Sequence, residues 1–444
     1  MKPPRWQLAA VVVAIVSTAA PAFGNQRTGW MTPPQEEIDT TWGILDPHSL
    51  FDWNEMREEK SLTGGWGGER SRLREAGIGF AGSYVSETAG NPVGGTTHKL
   101  RYTHNIGLGV FFDLGRLLGI SNTFLLVSAS NREGNSLSRD IPNFFAVQQL
   151  YGGPTTRLVH LALETVLADG RLDLVGGRIN ALDDFATSPL YCYAQNLGFC
   201  GNPLSIPVNA SVPSYPNTAW GLRGRWSISD NAYAMTGVYN AFSRFRGNQY
   251  HGIDFSIRQK SGVAVLQEFG WKPLLARALG LPGTIKLGGV YTSEPKEKFA
   301  SGNRRSGTYD VYATLQQKIW QEPGSNNNQG LSGFLAVTYA PPSLNTIEHF
   351  VDGGLVYIGL VPGRDTDALG LFALFGQFSS DLRRSQVESG APGMNHESIL
   401  ELNYQYNVTP WCYLQPDVQG VLRPNGTGRV ADSFVMAMQV GITL

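Results

Sequence analysis

Hydrogen-bonding side chains occupy most alternate positions of two neighbouring segments near the C-terminus. The polar positions of residues 398–408 and 411–423 are Glu401, Asn403, Gln405, Asn407, Gln415, Asp417, Gln419 and Arg423. Carboxylates accept hydrogen bonds and amides both donate and accept them, so such a face can meet water or a polar solute. The positions in between are mostly apolar, and a period of two indicates β-strands with one polar and one apolar face.

Motifs typical of soluble enzymes are absent or misplaced. Gly77, Gly79 and Gly82 match G-x-G-x-x-G, but they follow a helix-like run and open a strand, the reverse of the order that dinucleotide binding requires. The sequence has no phosphate-binding lysine loop, no H-E-x-x-H and no G-x-S-x-G. The His residues lack metal-ligand spacing, and His160, on a strand-like segment, has no evident serine partner. We expect no catalytic site, metal or cofactor.

The cysteines predict one disulfide. Cys192 and Cys200 lie in residues 188–203, which are rich in turn formers, and a bond between them suits an exported protein. A zinc site would be short of ligands, because the segment offers only these sulfurs and no nearby His. Cys412 falls on the apolar face of a strand-like segment and is predicted to be a small hydrophobic residue with a free thiol.

The last residues, 434–444, alternate up to the end of the sequence. Phe434, Met436, Met438, Val440, Ile442 and Leu444 are the apolar positions. Terminal residues of soluble domains usually fray, whereas the last strand of a transmembrane barrel must pair with the first and leave no open edge in lipid. Outer-membrane barrels usually end in Phe or Trp, so Leu444 departs from the pattern. We predict a transmembrane antiparallel β-barrel, with a large soluble β protein as the alternative.

Composition fits this fold class. Gly occurs 53 times, against about 31 at the usual frequency of ~7%. The chain has 10 Trp and 17 Tyr, and its formal net charge of −1 gives no attraction to nucleic acid or anionic lipid. Beyond the N-terminus, no apolar run is long enough for a membrane helix.

The N-terminus predicts export. Lys2 and Arg5 precede the apolar run 8–16, and Ala20 and Ala22 supply the small residues that signal peptidase requires. We therefore assign residues 1–22 to a cleaved signal peptide, 23–76 to a periplasmic leader with a short helix at 69–76, and 77–444 to the barrel.

Alternating segments separated by turn clusters predict the strands. About 23 residues per strand and connection give about 16 strands, with 18 as an alternative, and a barrel of this size leaves an aqueous lumen. The predicted strands are 78–87, 106–113, 123–130, 159–166, 172–179, 218–228, 232–241, 263–271, 285–293, 309–320, 331–339, 352–360, 369–378, 398–408, 411–423 and 434–444.

The chain resembles the OprB-type carbohydrate-selective porins of bacterial outer membranes. The resemblance covers nearly the whole mature chain and is most specific at the C-terminus. Its motifs are Gly65-Trp66-Gly67-Gly68-Glu69-Arg70, Phe112-Asp113-Leu114, Gly177-Arg178, Cys200-Gly201-Asn202-Pro203, Trp220-Gly221, and Glu401-Leu402-Asn403-Tyr404 leading to Thr409-Pro410-Trp411 and Gln415-Pro416-Asp417. The resemblance implies a 16-stranded barrel and passive uptake of monosaccharides and other small neutral sugars.

A sugar-selective lumen needs forked donors, carboxylate or amide acceptors, and aromatic planes for the C–H faces of the ring. Arg178 and Glu401 are the leading candidates, since both fall within the matched motifs. The other candidates are Glu164, Trp220, Arg223, Arg225, Asn403, Gln405 and Asp417. For each residue the alternative is simple solvation of a wide lumen, and for Trp220 it is a place in the interfacial aromatic girdle.

Two other functions stay open. A general or differently selective channel, for anions or aromatic acids, would be favoured by an excess of Arg and Lys in the lumen. A barrel enzyme, the remote alternative, would need a nucleophile and a His on adjacent strands. The expected partners are small neutral sugars and outer-membrane lipid, without nucleic acid, and the protein is either a monomer or a trimer.

Overall fold

The computed structural model describes residues 58–241, 250–256, 262–272, 280–324 and 329–444. The predicted signal peptide, and the leader as far as residue 57, lie outside these ranges. None of the helices within them is long and apolar enough to cross a membrane. The α-helices are α1 (Glu69–Glu75), α2 (Leu114–Leu118), α3 (Ser205–Ala210) and α4 (Ser380–Glu388), and the 3-10 turns are Glu58–Lys60, Trp66–Gly68, Leu137–Arg139, Ala181–Asp183, Tyr191–Tyr193 and Pro424–Gly426.

Sixteen antiparallel strands form one closed barrel, in which each strand pairs with its neighbours in the chain and β1 pairs with β16. The predicted fold class and strand number are confirmed, and closure of this ring excludes 18 strands. The strands are β1 (Ile78–Val93), β2 (Leu100–Asp113), β3 (Thr123–Gly134), β4 (Thr155–Leu167), β5 (Leu172–Ile179), β6 (Ala219–Ser229), β7 (Ala232–Asn240), β8 (Val263–Trp271), β9 (Gly283–Glu297), β10 (Arg304–Gln321), β11 (Gly330–Tyr339), β12 (Ile347–Ile358), β13 (Ala368–Phe378), β14 (His396–Thr409), β15 (Cys412–Leu422) and β16 (Ser433–Thr443).

The two faces of the wall are inverted relative to a water-soluble protein. On β14, Leu400 is 52% exposed and Leu402 is 46% exposed, while Glu401 between them is 1% exposed. An apolar outer face suits the hydrocarbon of a bilayer, and a polar inner face suits an aqueous lumen. The alternation read from the sequence therefore places its apolar side outward.

The N-terminal leader closes the seam between the first and last strands. Ser83 lies opposite Thr443 in the register of β1 and β16, and the Leu444 amide donates to the Gly82 carbonyl at 2.7 Å. Arg70 of α1 donates to the carbonyl oxygens of Phe80 (3.1 Å) and Leu444 (3.4 Å), so one guanidinium bridges both strands. This contact gives a structural reason for the Arg at the end of the Gly65–Arg70 motif.

Two long connections at the end of the barrel opposite the chain termini fold into the lumen. We call residues 135–154, between β3 and β4, segment A, and residues 180–218, between β5 and β6, segment B. Their buried apolar side chains pack against inner-wall residues and form two apolar clusters inside the barrel. The lumen is therefore partly filled, which the alternating strand pattern alone did not predict.

Candidate functional site

Glu397 of β14 holds segment A against the inner wall. Its carboxylate accepts the backbone amides of Phe144 (2.8 Å) and Phe145 (2.8 Å), and that of Asn425 in the β15–β16 connection. The Phe145 ring lies directly over Gly376, the register partner of Glu397 on β13: a Cβ at Gly376 would meet Phe145 Cζ at 2.2 Å. The Glu397 carboxylate binds the Phe145 amide and Gly376 leaves space for the Phe145 ring, so together they hold this residue of segment A.

Glu401 anchors segment B in the same way, further along the same face of β14. Its carboxylate accepts the backbone amides of Gln195 at 2.6 Å and Asn196 at 3.0 Å, and the Asn403 side-chain amide at 2.8 Å. Asn403 and Gln415 both donate to the Tyr193 carbonyl. Glu401 does face the lumen, but its oxygens are engaged with the main chain of segment B, which differs from the expected sugar acceptor.

Asp417 and Gln405 keep part of their hydrogen-bonding capacity. Asp417 Oδ1 accepts from Gln419 at 2.9 Å, and Gln405 Nε2 donates to Asn407 Oδ1 at 2.9 Å. The Asp417 carboxyl also hydrogen-bonds to that of Glu401, and within the described residues Gln405 Oε1 is buried without a hydrogen-bond partner. Both residues stay candidates for contact with solute or water.

The first residues of segment B are fastened to four different strands. Asp183 pairs with His160 of β4 (2.8 Å), and Asp184 pairs with Arg223 of β6 (3.1 Å). The Ala186 amide donates to Glu268 of β8 (2.7 Å), and Lys286 of β9 donates to the Thr187 carbonyl (2.8 Å). Consecutive polar contacts therefore tie this stretch of segment B along the inner wall.

Arg223, Arg225 and Glu164 all face inward. Arg223 is ion-paired with Asp173 at 2.6 Å as well as with Asp184. Arg225 lies over the Tyr233 ring at 4.4 Å, and Glu164 is buried in the same register row as Arg223. Charge pairing and ring packing thus engage both arginines, which differs from the expected open donor forks.

Trp220 lies on the outer wall. Its face of β6 also carries Leu222 and Trp226, which are exposed, and the inner residues of this strand are the alternate ones. The Trp220 indole donates to the Phe255 carbonyl at 2.9 Å. Trp220 therefore fits the alternative prediction, a place in the interfacial aromatic girdle. It does not supply the aromatic plane that was expected to stack on a sugar in the lumen.

Arg178 lies directly opposite Trp220 in the β5–β6 register. It is buried, and its guanidinium donates to the carbonyl oxygens of Thr218 and Asp254, each at 3.0 Å. These bonds hold residues 250–256 against the rim of the wall. The expectation of a donor fork at the narrow zone of the lumen is corrected accordingly, because strand periodicity places residue 178 on the face of Trp220.

A buried Ser–His–Asp chain joins the wall to segment B. Ser128 Oγ lies 2.8 Å from His160 Nδ1 on the adjacent strand, and His160 Nε2 lies 2.8 Å from Asp183 Oδ2. The sequence showed no serine partner for His160, and the register of β3 and β4 supplies one. All three side chains are buried, so no substrate could reach the serine. Burial, the largest influence, raises the pKa of Asp183 to about 7.

The three cysteines have two different roles. Cys192 and Cys200 are joined by a disulfide inside segment B, with their Cα atoms 4.3 Å apart, while Cys412 on β15 is a half-buried free thiol. The bond closes the turn whose residues Gln195 and Asn196 bind Glu401. No cluster of His, Cys, Asp and Glu in the described ranges could hold a metal ion.

Sequence reasoning missed several inward carboxylates that hold the main chain of the segments. Glu397 and Glu268 are described above, and Glu87 of β1 accepts the Leu150 amide of segment A at 3.3 Å. For Glu87 and Glu268 a signal was present, since an acidic residue at an inward position of a predicted strand needs a partner when buried, whereas Glu397 lies just before the predicted strand 398–408. Only the path of segments A and B reveals that this partner is main chain.

Comparison with known proteins agrees with this architecture. The chain is 28% identical to Porin B of Pseudomonas aeruginosa over 418 residues, covering 86% of this chain and 90% of the relative. It is 25% identical to Putative porin QuiX of Acinetobacter baylyi over 415 residues, covering 87% and 93%. The high-pH structure of Pseudomonas putida OprB superimposes with a TM-score of 0.82 at 26% identity, covering 88% of this chain and all of that one.

The family match extends over most of the chain. Residues 97–444 match the family described as carbohydrate-selective porin, OprB family. The relatives are porins rather than enzymes, and the closed barrel with an apolar outer face places the protein in the bacterial outer membrane. The chain therefore belongs to the OprB family of carbohydrate-selective outer-membrane porins.

Proposed function

We propose that this porin passes small neutral carbohydrates of the glucose type by passive diffusion through a water-filled lumen that binds them weakly. The observation that carries the proposal is the mixed charge of the inner wall. Buried acidic residues on the strands include Glu87, Glu164, Asp173, Glu268, Asp310, Asp352, Glu397, Glu401 and Asp417; buried basic ones include Arg132, Arg157, Arg223, Arg225, Lys286 and Lys318. A wall with both signs favours a neutral solute over either kind of ion.

Weak binding follows from the chemistry of the wall. Sugar hydroxyls both donate and accept, so they can bond to carboxylates, amides and guanidinium groups that face the lumen. Transport requires that each such contact be broken again, and water in the lumen competes for every one. The same reasoning disfavours an anion channel, since the described strands carry no excess of buried Arg and Lys over Asp and Glu.

Single-channel recording in planar bilayers tests the proposal. We expect glucose to reduce the ion current of the purified protein in a concentration-dependent way, and a sugar acid of similar size, such as gluconate, to reduce it less. Liposome swelling in isotonic glucose should show that the sugar crosses. A wild-type channel that glucose does not block, or one that gluconate blocks more strongly, would refute the proposed selectivity.

A further inference from the structure

The wall of the barrel has an open strand edge where β5 leaves it. β4 begins at Thr155, but its register with β5 begins only at Leu161, which lies opposite Arg178. After Ile179 the chain turns into the lumen as segment B, so residues 155–160 have no strand of the described ranges on their β5 side. Unpaired backbone groups on a strand edge are costly in a bilayer, so this edge needs another cover.

Residues 250–256, from the connection between β7 and β8, supply that cover. The Leu158 amide donates to the His251 carbonyl at 2.9 Å, and His251 Nδ1 donates to the Thr156 carbonyl at 2.7 Å. Gly252 comes so close that a Cβ there would meet the Leu158 carbonyl oxygen at 2.0 Å, and its φ of +71° also favours glycine. These residues therefore take the place of a neighbouring strand along the edge of β4.

The main chain of this cover is bonded to the outside of the wall. Arg178 and Trp220, which share the outer face, donate to the carbonyl oxygens of Asp254 (3.0 Å) and Phe255 (2.9 Å). The Phe255 ring also lies against the Trp220 indole, with ring centroids 6.1 Å apart. Carbonyl groups that are already hydrogen-bonded to the wall can lie next to hydrocarbon without the cost of an unpaired polar group.

The outward side of the cover carries apolar side chains between polar ends. Ile253 is 62% exposed and Phe255 is 43% exposed. His251 and Ser256, which flank them, are exposed and polar. Such a surface suits the boundary between hydrocarbon and lipid headgroups. This end of the barrel carries the long connections, which face the cell exterior in outer-membrane barrels, so the boundary is that of the outer leaflet.

We propose that residues 250–256 form a contact surface for outer-leaflet lipid, with Ile253 and Phe255 inserted among the acyl chains. The surface continues the lipid-facing wall, because Trp220 beneath it shares a strand face with Leu222 and Trp226, which are both exposed. The lipid thus covers a place where the wall is made by a connection rather than by a strand. The contact is independent of the solute that the lumen passes.

Spin labelling in vesicles tests the contact. Phe255→Cys and Ile253→Cys are each made in Cys412→Ala protein, so that the added cysteine is the free thiol, and are labelled with a nitroxide in dimyristoylphosphatidylcholine vesicles. We expect oxygen, which concentrates in lipid, to enhance the relaxation of both labels more than a water-soluble nickel chelate does. Leu222→Cys is the lipid-exposed control, and Glu388→Cys on α4 is the water-exposed control.

Two results would overturn the proposal. Stronger relaxation by the nickel chelate at both positions, as at Glu388→Cys, would place residues 250–256 in water. Labels that neither agent relaxes would show that protein, such as a second copy of the chain, covers the surface instead. The second position keeps the test available if Phe255→Cys fails to fold, because Ile253→Cys leaves the contact between Phe255 and Trp220 in place.

Matched glycine variants test what holds the surface against the wall. Gly252→Ala places a Cβ against the Leu158 carbonyl, so it should displace the cover and shift the label at position 255 toward the nickel chelate. Gly302→Ala is the control, because Gly302 has a similar φ of +66° and a Cβ there would meet no heavy atom of the described residues within 4 Å. It should leave the label in lipid. A label that Gly252→Ala also leaves in lipid would overturn the role of the β4 edge.

Discussion

The inner faces of β13–β14 and β10–β12 both carry buried carboxylates, but those carboxylates have different partners. Glu397 and Glu401 of β14 accept backbone amides from segments A and B. Asp352 of β12 has no such partner in the described part of the chain. An inward acidic residue therefore holds the filling of the lumen in one part of the wall and takes no part in doing so in another. What distinguishes them is whether main-chain N–H groups reach the carboxylate.

The largest effect is expected from releasing segment A. Glu397→Gln leaves one acceptor oxygen and turns an NH₂ group toward backbone amides, which should cost about 1.5–3 kcal/mol at the anchor. Gly376→Ala should displace the same segment from the other side, since its Cβ would meet Phe145 Cζ at 2.2 Å. Both variants should increase single-channel conductance and weaken sugar discrimination. The barrel should stay folded, so that unboiled protein still migrates differently from boiled protein in detergent electrophoresis.

Gly420→Ala is the matched control for the glycine variant. Gly420 lies on β15, and a Cβ added there would meet no heavy atom of the described residues within 4 Å, so the substitution should leave conductance unchanged. If Glu397→Gln and Gly376→Ala both behave like this control, the contacts at Glu397 and Gly376 do not hold segment A in place.

A smaller effect is expected from Glu401→Gln. The substitution weakens the contacts to Gln195 and Asn196, but Asn403 and Gln415 still bind the Tyr193 carbonyl and hold the turn. Current noise should increase and glucose block should fall modestly, since Glu401 acts on the solute through segment B. Glu348→Gln is the control, because Glu348 accepts the Ser380 amide in an exposed connection. Complete loss of glucose block in Glu401→Gln would show that Glu401 itself contacts the sugar.

The Cys192–Cys200 disulfide constrains the same turn of segment B that Glu401 holds against the wall. Peptide mapping without reduction should recover Cys192 and Cys200 in one linked fragment and Cys412 as the free thiol. Replacing both residues by Ser removes a constraint on a short loop, for which about 2–4 kcal/mol is typical. Because Glu401 still holds the turn, we expect a lower unfolding temperature with little change in conductance. Freely alkylated Cys192 and Cys200 in protein from the outer membrane would contradict the bond.

Arg178→Ala should have the smallest effect on transport. The guanidinium binds main-chain carbonyls at the rim rather than facing the lumen, so its loss should loosen residues 250–256 and leave glucose block and ion preference unchanged. Arg178→Lys should restore only part of this hold, because an ammonium group lacks the planar fork. A clear shift of ion preference toward cations in Arg178→Ala would return Arg178 to the conducting path.

Residue patterns predicted the barrel well because each strand carries the pattern that identifies it within its own few residues. The requirement that every backbone group be paired in lipid, together with alternation of apolar and polar faces, is written into each strand separately. The strand number and the closing pair β1–β16 followed from it. Site residues were predicted less well. Arg178 and Trp220 sit in matching motifs, yet a period-2 pattern broken by glycines does not reveal which face is inward.

By itself the sequence determined the compartment, the fold class, the direction of the apolar faces and the resemblance to sugar porins. Only the tertiary structure decided which inward polar groups are hydrogen-bonded to segments A and B. Glu401 and Asp352 have similar local surroundings, each on a strand with an apolar outer face. They differ because segment B directs its backbone amides toward Glu401 and only an aromatic ring and a hydroxyl toward the wall around Asp352. Hydrogen bonding across more than two hundred residues of chain is a property of the closed barrel, and no local pattern encodes it.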